Sequence, residues 1–212
     1  MSDNKQYEHI DSWKNSKSSF LKQLQLNKDT FENGDVERVP HWANLIRHIS
    51  EHIPKRIVDI GCGTGCYYPI CEMLNVEYIG YDYSQHAVDI SKEAWGGNFV
   101  CKSYQEITSK DIREGDLVVA NALCDVLPNG DECLEHLLSI NANRLLIQRV
   151  RMTDKPNYFT EYSPYDITTY EFYHNDKQLI ATIKNAGYKL GKITSLFTPS
   201  ERIFDIEIRK SK

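Results

Sequence analysis

Short runs of β-branched and aliphatic residues recur along the chain: Ile-Val-Asp-Ile at 57–60, Tyr-Ile-Gly-Tyr at 78–81, Leu-Val-Val-Ala at 117–120 and Leu-Leu-Ile-Gln at 145–148. Runs of this length and composition predict strands of a buried sheet. Between them the period changes. From Pro40, which suits a first helical position, Trp42, Leu45, Ile46, Ile49 and Ile53 recur at helical spacing up to Pro54, predicting an amphipathic helix. Ser84 is placed to cap a helix running through Ala94. Residues 131–139 and 176–186 predict two more helices, the last stopped by Gly187. Residues 188–197 and 202–209 alternate apolar and polar, predicting an antiparallel edge pair. Strands alternating with helices predict an α/β doubly wound sheet. Residues 1–39 are polar with isolated aromatics (Tyr7, Trp13, Phe20, Phe31), and Asn33-Gly34 marks a turn.

The chemistry concentrates after the first run. Asp59 is followed by Gly61, Gly63 and Gly65 in alternation. Glycines let the backbone turn sharply and approach a ligand without a Cβ in the way. A helix expected next would point its free N–H groups at whatever the loop holds. Asp82 ends the second run, about 20 residues beyond the glycines, where a dinucleotide-binding fold places the acid that accepts from ribose hydroxyls. The predicted ligand therefore carries a ribose. The carboxyl ends of the strands bring Gly61–Gly65, Asp82, Ser103 and Asn121 to one crevice.

The spacing D-x-G-x-G-x-G, with Cys66 where a dehydrogenase loop has its third glycine, resembles motif I of class I S-adenosylmethionine-dependent methyltransferases. Asp82-Tyr83-Ser84 is similar to that family's ribose-binding segment, and residues 99–104, 116–121, 144–150 and 185–190 resemble its later strands and turns in order. The resemblance covers roughly residues 40–210. It implies a Rossmann-like seven-stranded methyltransferase sheet with an antiparallel last strand. It also implies S-adenosylmethionine as cofactor, S-adenosylhomocysteine as product, and a cofactor site drawn from Asp59, Gly61, Cys62, Gly63, Gly65, Asp82, Tyr83, Ser103, Tyr104, Asn121 and Ala122. Two departures stand out. Ser103 occupies the place of an aspartate that contacts the adenine in many members. Asn121-Ala-Leu-Cys replaces the Asn/Asp-Pro-Pro-Tyr of base-amine methyltransferases, which counts against a DNA base as substrate.

Composition changes the picture little. The 212 residues suit one domain, expected as an N-terminal lid or extension (1–39) on a cofactor-binding domain (40–212). The net charge of −5 gives no global reason to expect nucleic acid, although Lys102, Arg149 and Arg151 could form a local patch for a phosphate. No run approaches the ~20 apolar residues of a membrane span, and the first residues lack the apolar core of a signal peptide, so a cytoplasmic chain acting on a small molecule is expected. The oligomeric state, monomer or homodimer, is open. The cysteines (62, 66, 71, 101, 124, 133) form no C-x-x-C pair and no zinc-ligand spacing, so no metal is expected. They read as buried fillers, with Cys124 after the fourth strand the one nearest the expected acceptor.

The acceptor must be sought elsewhere. Residues 151–174 read as an aromatic insertion in which Tyr158, Tyr162, Tyr165 and Tyr170 either face substrate or pack the segment onto the sheet. Trp13 and Trp42 either line a lid or fill a core. Candidate bases are Asp125, which otherwise tethers its loop, and His174, which otherwise caps a helix or meets solvent. The other histidines are expected on helices or the tail, in solvent. A weaker resemblance of residues 147–165 to bacterial methyltransferases of surface-polysaccharide gene clusters favours O-methylation of a sugar-like or hydroxylated acceptor. N-methylation of a small amine, an NAD-dependent oxidoreductase, and a non-catalytic cofactor-binding subunit are the alternatives.

Overall fold

The computed structural model describes residues 8–197 and 202–211, so Tyr7 and the first residues lie outside it. In chain order the elements are α1 (Ser12–Asn15), α2 (Lys17–Glu32), α3 (Pro40–His52), β1 (Arg56–Ile60), α4 (Tyr68–Met73), β2 (Glu77–Asp82), α5 (Gln85–Trp95) and β3 (Phe99–Cys101). There follow β4 (Asp116–Asn121), α6 (Gly130–Ser139), β5 (Arg144–Thr153), β6 (Tyr158–Tyr162), β7 (Thr169–Asn175), α7 (Asp176–Asn185), β8 (Tyr188–Ser195) and β9 (Ile203–Lys210).

β3, β2, β1, β4 and β5 run side by side and parallel. β9 pairs antiparallel with β5, and β8 pairs antiparallel with β9. These make the expected doubly wound sheet with its late antiparallel strand. The expected edge pair is corrected in one respect: β9 lies inside the sheet, between β5 and β8. The sheet also has nine strands rather than seven, because the insertion contributes a hairpin. β5 is long enough to hold β9 along residues 144–151 and β7 along residues 151–153, and β6 pairs antiparallel with β7.

Strand alternation splits the core by face. Val58, Ile60, Val118, Leu145 and Ile147 pack under α6 and α7 with Leu134, Leu137, Leu179 and Ile183. Ile57, Leu117, Val119 and Leu146 pack against Trp42, Leu45 and Ile49 of α3 and Ile70 of α4. At the amino ends of β1 and β4, Arg56 forks onto Asp116, its Nε donating to Oδ1 at 3.1 Å and its NH2 group to Oδ2 at 2.5 Å, both side chains buried.

α3 appears where the periodicity placed it, stopping at Ile53 in the left-handed region (φ 45°). α2 was not expected: it spans 16 residues of mostly polar sequence, and only Ser19 and Phe20 on it are buried, too few to write an apolar stripe. Ser84 precedes α5, but its hydroxyl donates to the Lys14 carbonyl (2.9 Å) instead of capping the helix. Among the described residues, no helix is long and apolar enough to cross a membrane.

Candidate cofactor and acceptor site

The glycine loop leaves β1 through three left-handed residues, Gly61 (φ 75°), Gly63 (φ 52°) and Gly65 (φ 70°), and a β-carbon on Gly65 would lie 2.5 Å from the Phe99 ring. The N–H groups of Gly61 and Cys62 donate to the Tyr81 carbonyl (2.8 and 3.0 Å), which ties the loop to β2. At the end of β2, Asp82 accepts from the Gly63 N–H and the Ser84 N–H, each at 2.9 Å. Burial pushes its carboxyl up to about 6, against the pull of those two bonds. Asp59 lies behind the loop, fully buried, accepting from the Tyr78 hydroxyl at 2.8 Å. Burial, with the charge of Asp82 adding, raises it to about 7.

The remaining expected cofactor residues end neighbouring strands. After β3, Ser103 accepts from the Gln105 N–H and closes a capping box with Glu106, and the Tyr104 ring lies edge-on to His136. At the end of β4, Asn121 Oδ1 is buried without a hydrogen-bond partner among the described residues, and Ala122 (φ 51°) donates its N–H to the Gln148 carbonyl at 3.1 Å. A cradle of left-handed glycines, a carboxylate beside the Gly63 N–H and an unpartnered acceptor at Asn121 fit the groups of an adenosyl amino acid: ribose hydroxyls for Asp82 and a donor for Asn121.

The N-terminal segment crosses this site as a strap. Gln23 Oε1 accepts from both the N–H and the hydroxyl of Thr64 (3.2 and 3.1 Å), and Asn27 donates to the same hydroxyl at 3.1 Å. The Lys14 N–H donates to the Tyr83 hydroxyl at 3.0 Å. The strap also reaches the insertion: Ser19 donates to the Tyr165 carbonyl at 2.9 Å, Lys22 pairs with Asp166, and Trp13 meets Tyr165 edge-on. The His9 N–H donates to the Tyr170 hydroxyl at 3.1 Å.

The structure sorts the acceptor-side candidates. Tyr158 stacks on Tyr173 (centroids 4.6 Å apart) and Tyr162 is exposed, whereas Tyr170 is buried. Trp42 fills the core under α3. Asp125 is buried, held by Arg151 at one carboxylate oxygen while the other, Oδ1, has no partner among the described residues. Burial lifts it to about 6. Arg151 also grips Glu171 at 2.6 Å.

His174 lies in the α6–α7 side of the core with Cys124, Leu134 and Leu179, and burial pushes it down to about 4. It neither caps a helix through its ring nor meets solvent. Cys124 is likewise buried, its sulfur 3.7 Å from that of Cys133. The expectation of solvated helical histidines is also corrected. His48 is buried, and burial, with Arg149 adding, pushes His41 down to about 3. His48, His52 and Glu207 bring ligand-type atoms within 4.8 Å of one another, a cluster that sequence spacing missed because Glu207 comes from β9. Arg144 and Arg209 already hold that carboxylate.

β5 is bulged midway along its length. Its register shifts between Ile147 and Val150, and Arg149 takes φ 61° with its N–H on Asp205 Oδ1 at 3.0 Å.

Comparison with known proteins bears on this site. Residues 58–142, less than half the chain, match the model of a methyltransferase domain family. No curated protein matches the sequence significantly. Among solved structures, the magnesium protoporphyrin IX methyltransferase of Synechocystis PCC 6803 with bound S-adenosylhomocysteine is 14% identical, with a TM-score of 0.65 over 95% of this chain and 98% of that one. The 1,6-didemethyltoxoflavin-N1-methyltransferase of Burkholderia thailandensis, also with S-adenosylhomocysteine bound, is 15% identical, with a TM-score of 0.57 over 91% and 87%. An S-adenosylmethionine-dependent methyltransferase of Clostridium acetobutylicum is 8% identical, with a TM-score of 0.65 over 91% and 99%. Glycine loop, family model and fold agree: residues 58–142 match a methyltransferase domain, and the chain has the fold of S-adenosylmethionine-dependent methyltransferases.

Proposed function

We propose that the chain methylates an oxygen of a small hydroxylated, sugar-like acceptor. The observation that carries this reading is Asp125. One of its oxygens is fixed by Arg151, the other is unpartnered, and its carboxyl titrates at about 6, matched to taking a proton from a hydroxyl near neutral pH. When bound, the cofactor's sulfonium supplies an electrophilic methyl group. The oxygen–carbon bond forms as the sulfur–carbon bond breaks, and sulfur keeps the electron pair. Asp82 and the glycine loop would hold the nucleoside and Asn121 the amino-acid end. The stacked Tyr158–Tyr173 pair offers a face for a sugar ring. The strap excludes water from the reacting centre.

N-methylation of a small amine is favoured by a different observation. A cavity of about 440 Å³ is lined by Asp131, Glu132, Tyr158, Phe159 and Phe172, and its two acids make no ion pair among the described residues.

The test is transfer of labelled methyl groups from S-adenosylmethionine to matched sugars, phenols and amines, after calorimetry with S-adenosylhomocysteine and NAD. Asp125→Asn is expected to lower kcat by about 10²–10⁴-fold with little change in product affinity. Labelling of amines alone, with Asp125→Asn fully active, would overturn the oxygen assignment.

A further inference from the structure

Of the cations that sequence alone grouped as a phosphate patch, two are occupied. Lys102 pairs with Asp111 at 2.7 Å, and Arg151 spans Asp125 and Glu171. Arg149 differs from both. Its side chain makes no hydrogen bond and no ion pair among the described residues, yet it is only half-exposed. Its backbone is held in place: φ is 61°, a conformation few non-glycine residues adopt, and the N–H is fixed on Asp205.

The position is informative. Arg149 lies midway along β5, one residue past Gln148, which pairs with Asn121 at the carboxyl end of β4, where the sheet places the acceptor, whereas Asp82 marks the ribose end over β2. The guanidinium is near enough to act electrostatically on His41 of α3, on Cys66 and Tyr67 of the glycine loop, and on Asp125. A planar fork of five donors, left without an acceptor beside the proposed base, suits an oxyanion. Strain kept at such a bulge is characteristic of functional positions.

We infer that Arg149 forms an anion subsite for the methyl acceptor. The substrate is an acidic small molecule whose carboxylate or phosphate is anchored by the guanidinium, placing a neighbouring hydroxyl at Asp125. This inference rests on the methyltransferase reading above and narrows its substrate class. Arg149 acts as a positioning residue: it fixes the acceptor, and Asp125 takes the proton.

The test uses the full chain, Arg149→Gln and Arg149→Lys, each checked for folding by circular dichroism. Inorganic phosphate and acetate are titrated into protein saturated with S-adenosylhomocysteine, while the arginine Nε–H resonances are followed by NMR. The resonance missing from the Arg149→Gln spectrum is expected to shift with both anions and to saturate. Arg149→Lys should weaken the phosphate response without abolishing it, since charge is kept and the fork is lost.

Calorimetry with S-adenosylhomocysteine and with 5′-methylthioadenosine, which lacks the carboxylate, separates the two sources of an anion. Unchanged product affinity in Arg149→Gln assigns the subsite to the acceptor. A loss of about tenfold or more for S-adenosylhomocysteine alone assigns Arg149 to the cofactor's own carboxylate and overturns the inference. So does a resonance that neither anion moves. In that case, tight S-adenosylhomocysteine binding would leave the methyltransferase reading standing.

Discussion

At Asp82, one carboxylate joins three parts of the site: β2, the Gly63 N–H and the Ser84 N–H. Ribose hydroxyls would donate to the same group, each such charge-assisted bond worth roughly 1.5–3 kcal/mol. Asp82→Asn is therefore expected to weaken S-adenosylhomocysteine by about 10–100-fold in calorimetry. The pH dependence follows from its raised value of about 6. Ribose binding favours the carboxylate, so affinity should be flat above neutrality and fall as pH drops through 6, by about tenfold per unit. The Asn variant should lack that fall. Asp59, pushed up to about 7 partly by the charge of Asp82, lies behind the loop and accepts from the Tyr78 hydroxyl. Both aspartates were legible in sequence, because a left-handed loop demands glycines and leaves a motif. Arg149 was legible only as a charge. Its left-handed bulge is imposed by pairing with β9, which no local pattern announces.

Among the elements, the strap formed by α1 and α2 was the least legible. Apart from Phe20, which packs on Ala87 and Ile90 of α5, its contacts are polar and individually weak: Gln23 and Asn27 on Thr64, Lys14 on Tyr83, Ser19 on the Tyr165 carbonyl. Amphipathic α3 could be read from its buried stripe, whereas α2 is held by hydrogen bonds to partners 37 to 146 positions away. Gln23→Ala removes the acceptor that the Thr64 N–H has among the described residues and should free that amide. Hydrogen exchange at Thr64 is expected to speed up about tenfold, matching the roughly 0.5–1.5 kcal/mol of a single net hydrogen bond. Unchanged protection there would mean that the strap does not hold the loop. The hairpin β6–β7 was legible as an aromatic insertion but not as strands. Its pairing depends on β5 running far enough to carry β9 and β7 in succession.

For the whole molecule, cofactor binding and stability are linked. A ligand that binds only the folded chain adds about 2.7 kcal/mol at a hundred times its dissociation constant. For a chain of this size that is a rise in Tm of roughly 5–10 °C with S-adenosylhomocysteine. NAD at the same concentration should leave Tm unchanged in differential scanning calorimetry, and an equal rise with NAD would contradict the cofactor assignment.

The sequence by itself determined the alternation of strands and helices, the glycine loop after β1 and the acid that ends β2. Each is written in a local constraint: burial period, left-handed backbone, or an acid at a strand's end. Tertiary structure alone decided what surrounds the acceptor. It put His174 in the core, gave Asp125 to Arg151 26 residues away, left Arg149 without an ion pair among the described residues, and tied the N-terminal segment to the glycine loop and the insertion. These outcomes depend on which distant groups meet and how much water they lose on meeting, and neither quantity exists until the chain has folded.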